Sequence, residues 1–273
     1  MNYRHAFHAG NFADCMKHAL LVWLIEAMCR KPAPFFALDT HAGVGHYDLD
    51  AVPANRTMEA HTGILRLLDS SADSSLASYV ALVRRLGLYP GSPSLIEALM
   101  RPDDRLACCE LHDEDVRDLR GLFALNPAVS VHHRDAWEAL RGLLPPKQKR
   151  GLILIDPPFE DPEEFANLAA GLKLGHSRFP TGVFAAWYPV KQLARVRQFL
   201  DTMRGSGIRD IVTAEFLLRE PLDPSRLNGC GLLVINPPYR FEVEAPVILD
   251  ALLSAIGTGE PGQGTSVVRL CDE

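Results

Sequence analysis

The sequence predicts an α/β fold built on a mostly parallel, doubly wound sheet. Three observations predict it. Short runs that are apolar throughout, rather than alternating, recur along the chain, as strands covered on both faces of a sheet require. Stretches with helical spacing of apolar residues separate them, and strands alternating with helices make parallel crossovers. Several runs end at an acid, the position where an open α/β sheet offers side chains to a ligand. With 273 residues and 47% hydrophobic content, there is material for one large domain, or for one domain with a sizeable insertion.

Seven strands follow from the runs. Phe35-Phe36-Ala37-Leu38 closes at Asp39, 106–109 at Glu110, 129–132 shortly before Asp135, and 152–155 at Asp156. Residues 183–187 end near Tyr188, and 208–218 and 232–235 complete the sheet. The loop between the last two has no helical spacing, so they are expected to pair as an antiparallel hairpin at one edge. Residues 14–29 form the first helix, capped by Asn11 or Asp14. Ser92-Pro93 supply a cap and a first-turn proline for a helix over 95–100. Residues 162–174 and 190–204 fill two later crossovers. From Asp39 to Glu110 is 71 positions, where an ordinary strand–helix–strand step takes about 20–30. Residues 47–90 are therefore expected to be an inserted helical subdomain, with helices over 58–68 and 76–86. Residues 1–46 and 91–273 then make the main domain. The glycine-rich stretch 257–264 reads as a loop.

Composition excludes several classes. Bases number 28 and acids 34, a formal net charge of −6, so the chain is no wholly basic nucleic-acid coat, although a local basic face is compatible. With 23% charged and 8% aromatic residues, disorder is not expected. The most apolar stretch, 19–29, is short and carries Glu26, which suits a core helix and not a membrane span. Residues 1–8 place no apolar segment behind a charged head, so no signal peptide is expected. The six cysteines form no C-x-x-C pair. No disulfide framework and no metal are expected, and a reducing cytoplasm is.

Three constellations can carry chemistry. The first is Asp39-Thr40-His41-Ala42-Gly43-Val44-Gly45 after the first strand. Small residues there let the backbone approach a ligand closely. It is not the dinucleotide G-x-G-x-x-G, and no P-loop occurs. An acid followed by G-x-G resembles the first motif of S-adenosylmethionine (SAM) methyltransferases, although an ordinary glycine turn has the same composition. The second is a pair of acids. Glu110 is placed to accept from ribose hydroxyls and Asp135 to meet an adenine amino group, although acids at strand ends are also common caps. The third and strongest is Asp156-Pro157-Pro158-Phe159. Prolines end the strand and hold a rigid turn. That turn can aim the Asp156 carboxylate and the Pro157 carbonyl at one point, where two acceptors match the two hydrogens of an exocyclic amine. Phe159 would stack on the ring that bears it. This resembles the [D/N]-P-P-[Y/F] motif of amino methyltransferases. Asn236-Pro237-Pro238-Tyr239 matches the same pattern but follows the last strand, away from the first motif, so Asp156 is preferred.

The histidines His112, His132 and His133 have no metal-ligand spacing and read as solvated or core residues. The positions expected to face a polyanion are Arg4, Lys17, Arg30 and Lys31 near the start, Arg141, Lys147, Lys149 and Arg150, and Arg84 with Arg85.

The opening Tyr3-Arg4-His5-Ala6-Phe7-His8-Ala9-Gly10-Asn11-Phe12-Ala13-Asp14, followed by Lys17-His18, resembles the RlmJ family of bacterial 23S ribosomal RNA adenine-N6 methyltransferases. So do Leu38-Asp39-Thr40-His41-Ala42-Gly43, Tyr89-Pro90-Gly91-Ser92-Pro93, Gly151-Leu152-Ile153-Leu154-Ile155-Asp156-Pro157-Pro158 and Ala186-Trp187-Tyr188-Pro189. The resemblance runs from Tyr3 to about Pro238. It implies a Rossmann-like class I SAM-dependent methyltransferase fold, here with a seven-stranded sheet. S-adenosyl-L-methionine is the implied cofactor and 23S ribosomal RNA the implied partner. Lys17, His18, Asp39, His41, Gly43, Ser92, Glu110 and Asp135-Ala136 are implied to hold SAM, with Asp156 beside it. Ala136 stands where the family usually has glycine. Asp156 is implied to be catalytic, with Pro157 and Phe159 in its motif; Phe159 replaces the usual tyrosine and lacks its hydroxyl. Tyr3 is implied to contact the RNA, with Arg4 next to it. A monomer is expected.

Direct methyl transfer to an adenine lifted out of its stack follows from these roles. Asp156 would take the departing proton, with no covalent intermediate. Three other readings share parts of this sequence. They are a methyltransferase acting on DNA adenine or on a glutamine side chain, a non-catalytic RNA-binding assembly factor, and a nicotinamide-dependent enzyme. The intact SAM motifs and an acid at 156 weigh against the second, and the missing G-x-G-x-x-G against the third.

Overall fold

A computed structural model describes residues 8–49, 58–71 and 73–273. Tyr3 and Arg4 lie outside the described residues. The chain opens with α1 (Phe12–Cys29), then β1 (Phe36–Asp39) and a two-residue strand, β2 (His46–Tyr47). A helical stretch follows: α2 (Glu59–Thr62), α3 (Ile64–Asp69), a 3-10 turn over Ser74–Leu76 and α4 (Ala77–Leu86). β3 (Tyr89–Pro90) pairs with β2 and leads into α5 (Ser92–Leu99). Regular alternation then sets in with β4 (Arg105–Glu110), α6 (Asp113–Leu122), β5 (Val129–His133), α7 (Ala136–Leu143), β6 (Gly151–Ile155), α8 (Glu164–Arg178), β7 (Val183–Val190) and α9 (Leu193–Arg204). The chain closes with β8 (Ile211–Leu217), β9 (Gly229–Ile235), α10 (Phe241–Ile256) and β10 (Gly264–Cys271).

The main sheet has the order β10-β8-β9-β7-β6-β1-β4-β5. β5, β4, β1, β6 and β7 are parallel, while β9 runs antiparallel between β7 and β8. This is the expected Rossmann-like class I methyltransferase arrangement with eight strands in place of seven. The eighth, β10, pairs antiparallel with β8 and takes the edge. The expected hairpin of β8 and β9 forms, but β9 is wedged against β7 and is internal. β10 escapes sequence reading because it follows a glycine-rich loop and is only half covered along its length. The strand order reverses between β1 and β6, which pair through Leu38 with Ile153 and Asp39 with Leu154. Ligands of such sheets bind in the crevice at this switch point, outside the carboxyl ends of the strands.

Two apolar layers cover the sheet. α1 is buried nearly all round and packs with Phe35, Leu106 and Leu249 on one face, as a helix apolar on every side must. Leu140, Leu172 and Phe199, from α7, α8 and α9, fill the other. Residues 58–86 share the first core, with Ile64, Leu67 and Tyr79 joining Met16 and Leu20 of α1. Gly10 makes this docking possible. Its φ is +80°, its carbonyl accepts from Ile64 N at 2.8 Å, and a Cβ there would meet the Ile64 side chain at 2.6 Å. Asn11 caps α1 by accepting from Asp14 N at 2.9 Å.

Candidate active site

The carboxyl ends of β1, β4, β6 and β7 open into one cavity of about 780 Å³, within the range that encloses a cofactor-sized ligand. Its floor is the turn after β1. Thr40 N donates to Leu154 O at 3.1 Å and Ala42 N to Cys109 O at 3.0 Å, so the turn is hung between the neighbouring strands β6 and β4. Gly43 has φ +60° and donates its N–H to Glu110 Oε2 at 2.8 Å. The other Glu110 oxygen accepts from Leu111 N and His112 N at 2.7 and 2.9 Å. Three backbone donors thus fix this carboxylate, and Oε2 keeps room for a further donor. Asp135 caps α7, its Oδ1 accepting from Trp137 N at 2.9 Å and Glu138 N at 3.1 Å. The same residue also lines the cavity.

Asp156 lies on the facing side, two residues beyond Leu154 of β6. Lys17, reaching out of α1, places Nζ 2.5 Å from Asp156 Oδ2 and 3.0 Å from Asp14 Oδ1. Burial alone would lower the Lys17 pKa, but the two carboxylates outweigh it and hold the ammonium well above its ordinary value. Asp14 is itself fixed, accepting from Gly10 N at 3.0 Å. Next along α1, His18 Nδ1 is 2.9 Å from the Tyr89 hydroxyl. Thr40 Oγ1 donates to Leu154 O at 3.0 Å and meets His41 Nδ1 at 2.8 Å, and burial lowers the His41 pKa, favouring the neutral ring. Phe159, with φ 53°, packs edge-on against Phe165 and Trp187 at 4.8 and 5.9 Å between ring centres.

Lys17, His18, His41, Gly43, Ser92, Glu110, Asp135, Ala136, Asp156, Pro157 and Phe159 therefore all line this one cavity. Asp39 does not. It is fully buried beneath the floor and accepts from His41 N at 3.3 Å. Burial pushes its carboxyl up to about 7, with the Ser92 hydroxyl drawing it partly back. Asn236 lies at the opposite pole, because β9 runs antiparallel and its carboxyl end pairs with the start of β7. Its side chain donates to the Pro180 and Gly182 carbonyls at 2.8 Å each, so the second proline motif ties β9 to the turn before β7.

Two of the expected basic faces point elsewhere. Arg150 directly precedes β6, at the amino ends of the parallel strands, and clasps the Met28 and Ala33 carbonyls at 2.7 and 2.6 Å. Arg84 and Arg85 donate to the Leu68 and Ala98 carbonyls at 2.7 and 3.3 Å. The cavity's own bases are Lys17, Arg134, Lys191, Arg219 and Arg226. His8, Asp14, Glu59, Trp137 and Trp187 also line the cavity, and none of them carries a site role in the sequence motifs. His8 Nδ1 and Asn11 Nδ2 both reach the Glu59 carboxylate, at 2.9 and 3.0 Å, and tie α2 to the start of α1. Asp14 had a signal in its i, i+3 spacing from Lys17. Among the described residues no cluster of His, Cys, Asp and Glu has the make-up of a metal site, and no helix is long and apolar enough to cross a membrane.

Comparison with known proteins gives a consistent picture. The family described as "Ribosomal RNA large subunit methyltransferase D, RlmJ" matches residues 32–269. "Ribosomal RNA large subunit methyltransferase J" of Escherichia coli (strain K12) is 36% identical over 272 residues, covering 97% of each chain. The protein of the same name from Haemophilus influenzae is 36% identical over 270 residues, 95% of this chain and 96% of that one. A crystal structure of a protein from Legionella pneumophila superposes with a TM-score of 0.88 at 36% identity, covering 96% of this chain and 98% of the other.

Proposed function

The chain belongs to the RlmJ family of ribosomal RNA large subunit methyltransferases, and from that premise we propose that it methylates the N6 amine of an adenine in 23S ribosomal RNA, using SAM. The observation that carries this reading is the Lys17–Asp156 pair at the switch point, set in one cavity with Glu110 and Asp135 on one side and Phe159 and Trp187 on the other.

The residues fit SAM. The cavity has the volume for it, Glu110 Oε2 retains acceptor capacity, and Asp135 uses one oxygen for its cap and has the other to offer. Lys17, His18, His41, Gly43, Ser92, Glu110 and Asp135-Ala136 would hold it, with Asp39 setting the turn from below. When bound, it supplies a methyl group already activated on a sulfonium, so the protein has mainly to position the acceptor.

The acceptor nitrogen of adenine is a poor nucleophile because its lone pair is delocalised into the ring. Asp156 and the Pro157 carbonyl would accept its two N–H groups and free that pair to face the methyl group. Lys17 stays protonated, holds one Asp156 oxygen and leaves the other for the amine. Phe159 and Trp187 give the extruded base an aromatic surface. The proton lost from nitrogen on transfer goes to Asp156. The six unpaired cysteines suit a reducing cytoplasm.

The test is methyl transfer from labelled SAM to 23S RNA lacking the modification, with DNA and protein as parallel acceptors and the product digested for N6-methyladenine. Label in RNA is expected, lost at least a thousandfold in Asp156→Ala while SAM affinity stays within a few-fold. Label in DNA or protein alone, or normal turnover in Asp156→Ala, would overturn the reading.

A further inference from the structure

Lys191 and Arg226 stand on the same wall of the cavity as Trp187, and the mechanism above leaves both unused. Both are exposed. Lys191 has no ion-pair partner among the described residues. Arg226 has two carboxylates near it, Glu260 at 3.9 Å and Asp223, whose pKa its charge helps to lower. Glu260 is already held by Arg219, whose Nε and Nη2 donate to it at 2.8 Å each. Glu260 and Asp223 stand outside the lining, so the charged side chains that line this wall, Lys191, Arg219 and Arg226, are all basic, beside the aromatic pair Phe159 and Trp187.

The two cations are not on loose segments. Lys191 follows β7 directly, and Arg226 lies in the loop between β8 and β9. Asn228, fully buried, fastens these segments together. Its N–H donates to Val190 O at 3.0 Å, and its side-chain amide donates to Asp223 O at 2.7 Å and Lys191 O at 3.3 Å. Arg219 adds a bond from Nη1 to Leu227 O at 3.0 Å. A surface built this way holds the backbone beneath both cations in place, which lowers the ordering cost of binding.

We propose that Lys191 and Arg226 form a phosphate-binding platform that grips the RNA backbone on either side of the adenine inserted against Phe159 and Trp187. The inference rests on the reading of the protein as an RNA adenine methyltransferase. Phosphates are the groups that a flipped nucleotide necessarily brings to the rim of its pocket, and backbone contacts of this kind fix register without reading sequence.

The experiment measures KM for RNA, kcat and SAM affinity across a salt series in wild type, Lys191→Glu, Arg226→Glu, the double variant and Lys191→Arg. Lys147→Glu with Lys149→Glu, at the opposite pole, is the charge-matched control. The double variant is expected to raise KM for RNA by roughly tenfold or more, and each loss to remove about one unit from the slope of log KM against log salt. kcat at saturating RNA and SAM affinity should stay within about twofold, Lys191→Arg should behave as wild type, and so should the control. An RNA-methylating wild type whose double variant keeps the same KM and slope overturns the platform alone. An effect as large in the control does the same. A wild type that labels DNA or protein and not RNA overturns the underlying reading, and the platform with it.

Discussion

The half of the cavity built on β1, β4 and β5 is acidic and stitched to the backbone, whereas the half built on β6, β7 and the β8–β9 loop is aromatic and basic. On the first side, Glu110 and Asp135 take five N–H donors between them, all but one from within three residues along the chain. On the second, Phe159, Trp187, Lys191 and Arg226 are brought together from positions far apart, and Asn228 supplies a joint between two of the segments. The difference teaches how each half was assembled. A carboxylate satisfied by its own strand-end turn is a local device that any parallel strand can carry. An aromatic wall with a charged rim needs three separate segments to arrive at one place.

Lys17 joins the two halves and gives the largest expected effect among the ways to break this comparison. Removing it leaves Asp14 and Asp156 facing each other in a buried site with no cation between them. Lys17→Met is expected to cost about 3–5 kcal/mol of stability in urea denaturation at pH 7 and to abolish methyl transfer. The destabilisation should shrink as pH falls and the carboxylates take up protons. A loss below about 1 kcal/mol would place this pair among solvent-screened surface contacts and leave the halves without a common post.

Glu110→Gln sharpens the comparison from the acidic side. The amide keeps one acceptor oxygen but loses the charge and turns an NH2 toward backbone donors. SAM should bind about 10- to 100-fold more weakly, the range for losing a charged hydrogen-bond acceptor. KM for RNA should stay within about twofold of wild type, as measured by varying RNA at saturating SAM. A parallel rise in both constants would mean that the halves do not act separately.

The same division decides how much could be read in the sequence. The alternation of apolar runs and helices gives the parallel sheet, and Asp39, Glu110, Asp135 and Asp156 are legible because each follows its strand within a few residues. The rank of two identical-looking motifs was legible only through strand position. In the structure it is strand direction that separates them, since β9 carries Asn236 to the far pole. β10 was not legible, because an edge strand half open to solvent lacks the continuous apolar run of a buried one. Pro246 sits inside α10, where local rules would end a helix, and burial of Phe241, Ile248, Leu249 and Leu252 on the core overrides it. The bases that line the cavity were not legible for a related reason. Arg150, in a run of bases, looked like an RNA contact, but its guanidinium is engaged by backbone carbonyls. Lys191 and Arg226 stand singly in the sequence and acquire meaning only when their loops meet.

Asp39, under the floor shared by both halves, gives the effect most specific to pH and the smallest expected on methyl transfer. Burial raises its carboxyl from 3.8 to about 7. Between roughly pH 4 and pH 7 the folded chain keeps this proton while the unfolded chain has released it. The folded state therefore binds more protons across that window, and raising the pH favours unfolding. The contribution of this group to stability is fully present below the ordinary carboxyl range and is lost as pH rises through about 7. Asp39→Asn has nearly the same shape and cannot ionise, so it should match wild type near pH 4 and become the more stable chain above neutrality. The full shift is worth up to about 4 kcal/mol at about 1.4 kcal/mol per pKa unit, so a gain of several degrees in Tm at pH 8 is the expected scale. The measurement is a pair of thermal melts at each pH from 4 to 8. Parallel curves for the two chains would mean that Asp39 ionises at its ordinary pH. The floor would then hold a charged carboxylate, and the turn that carries His41 and Gly43 would owe its position to that charge instead of to a neutral hydrogen-bonding acid.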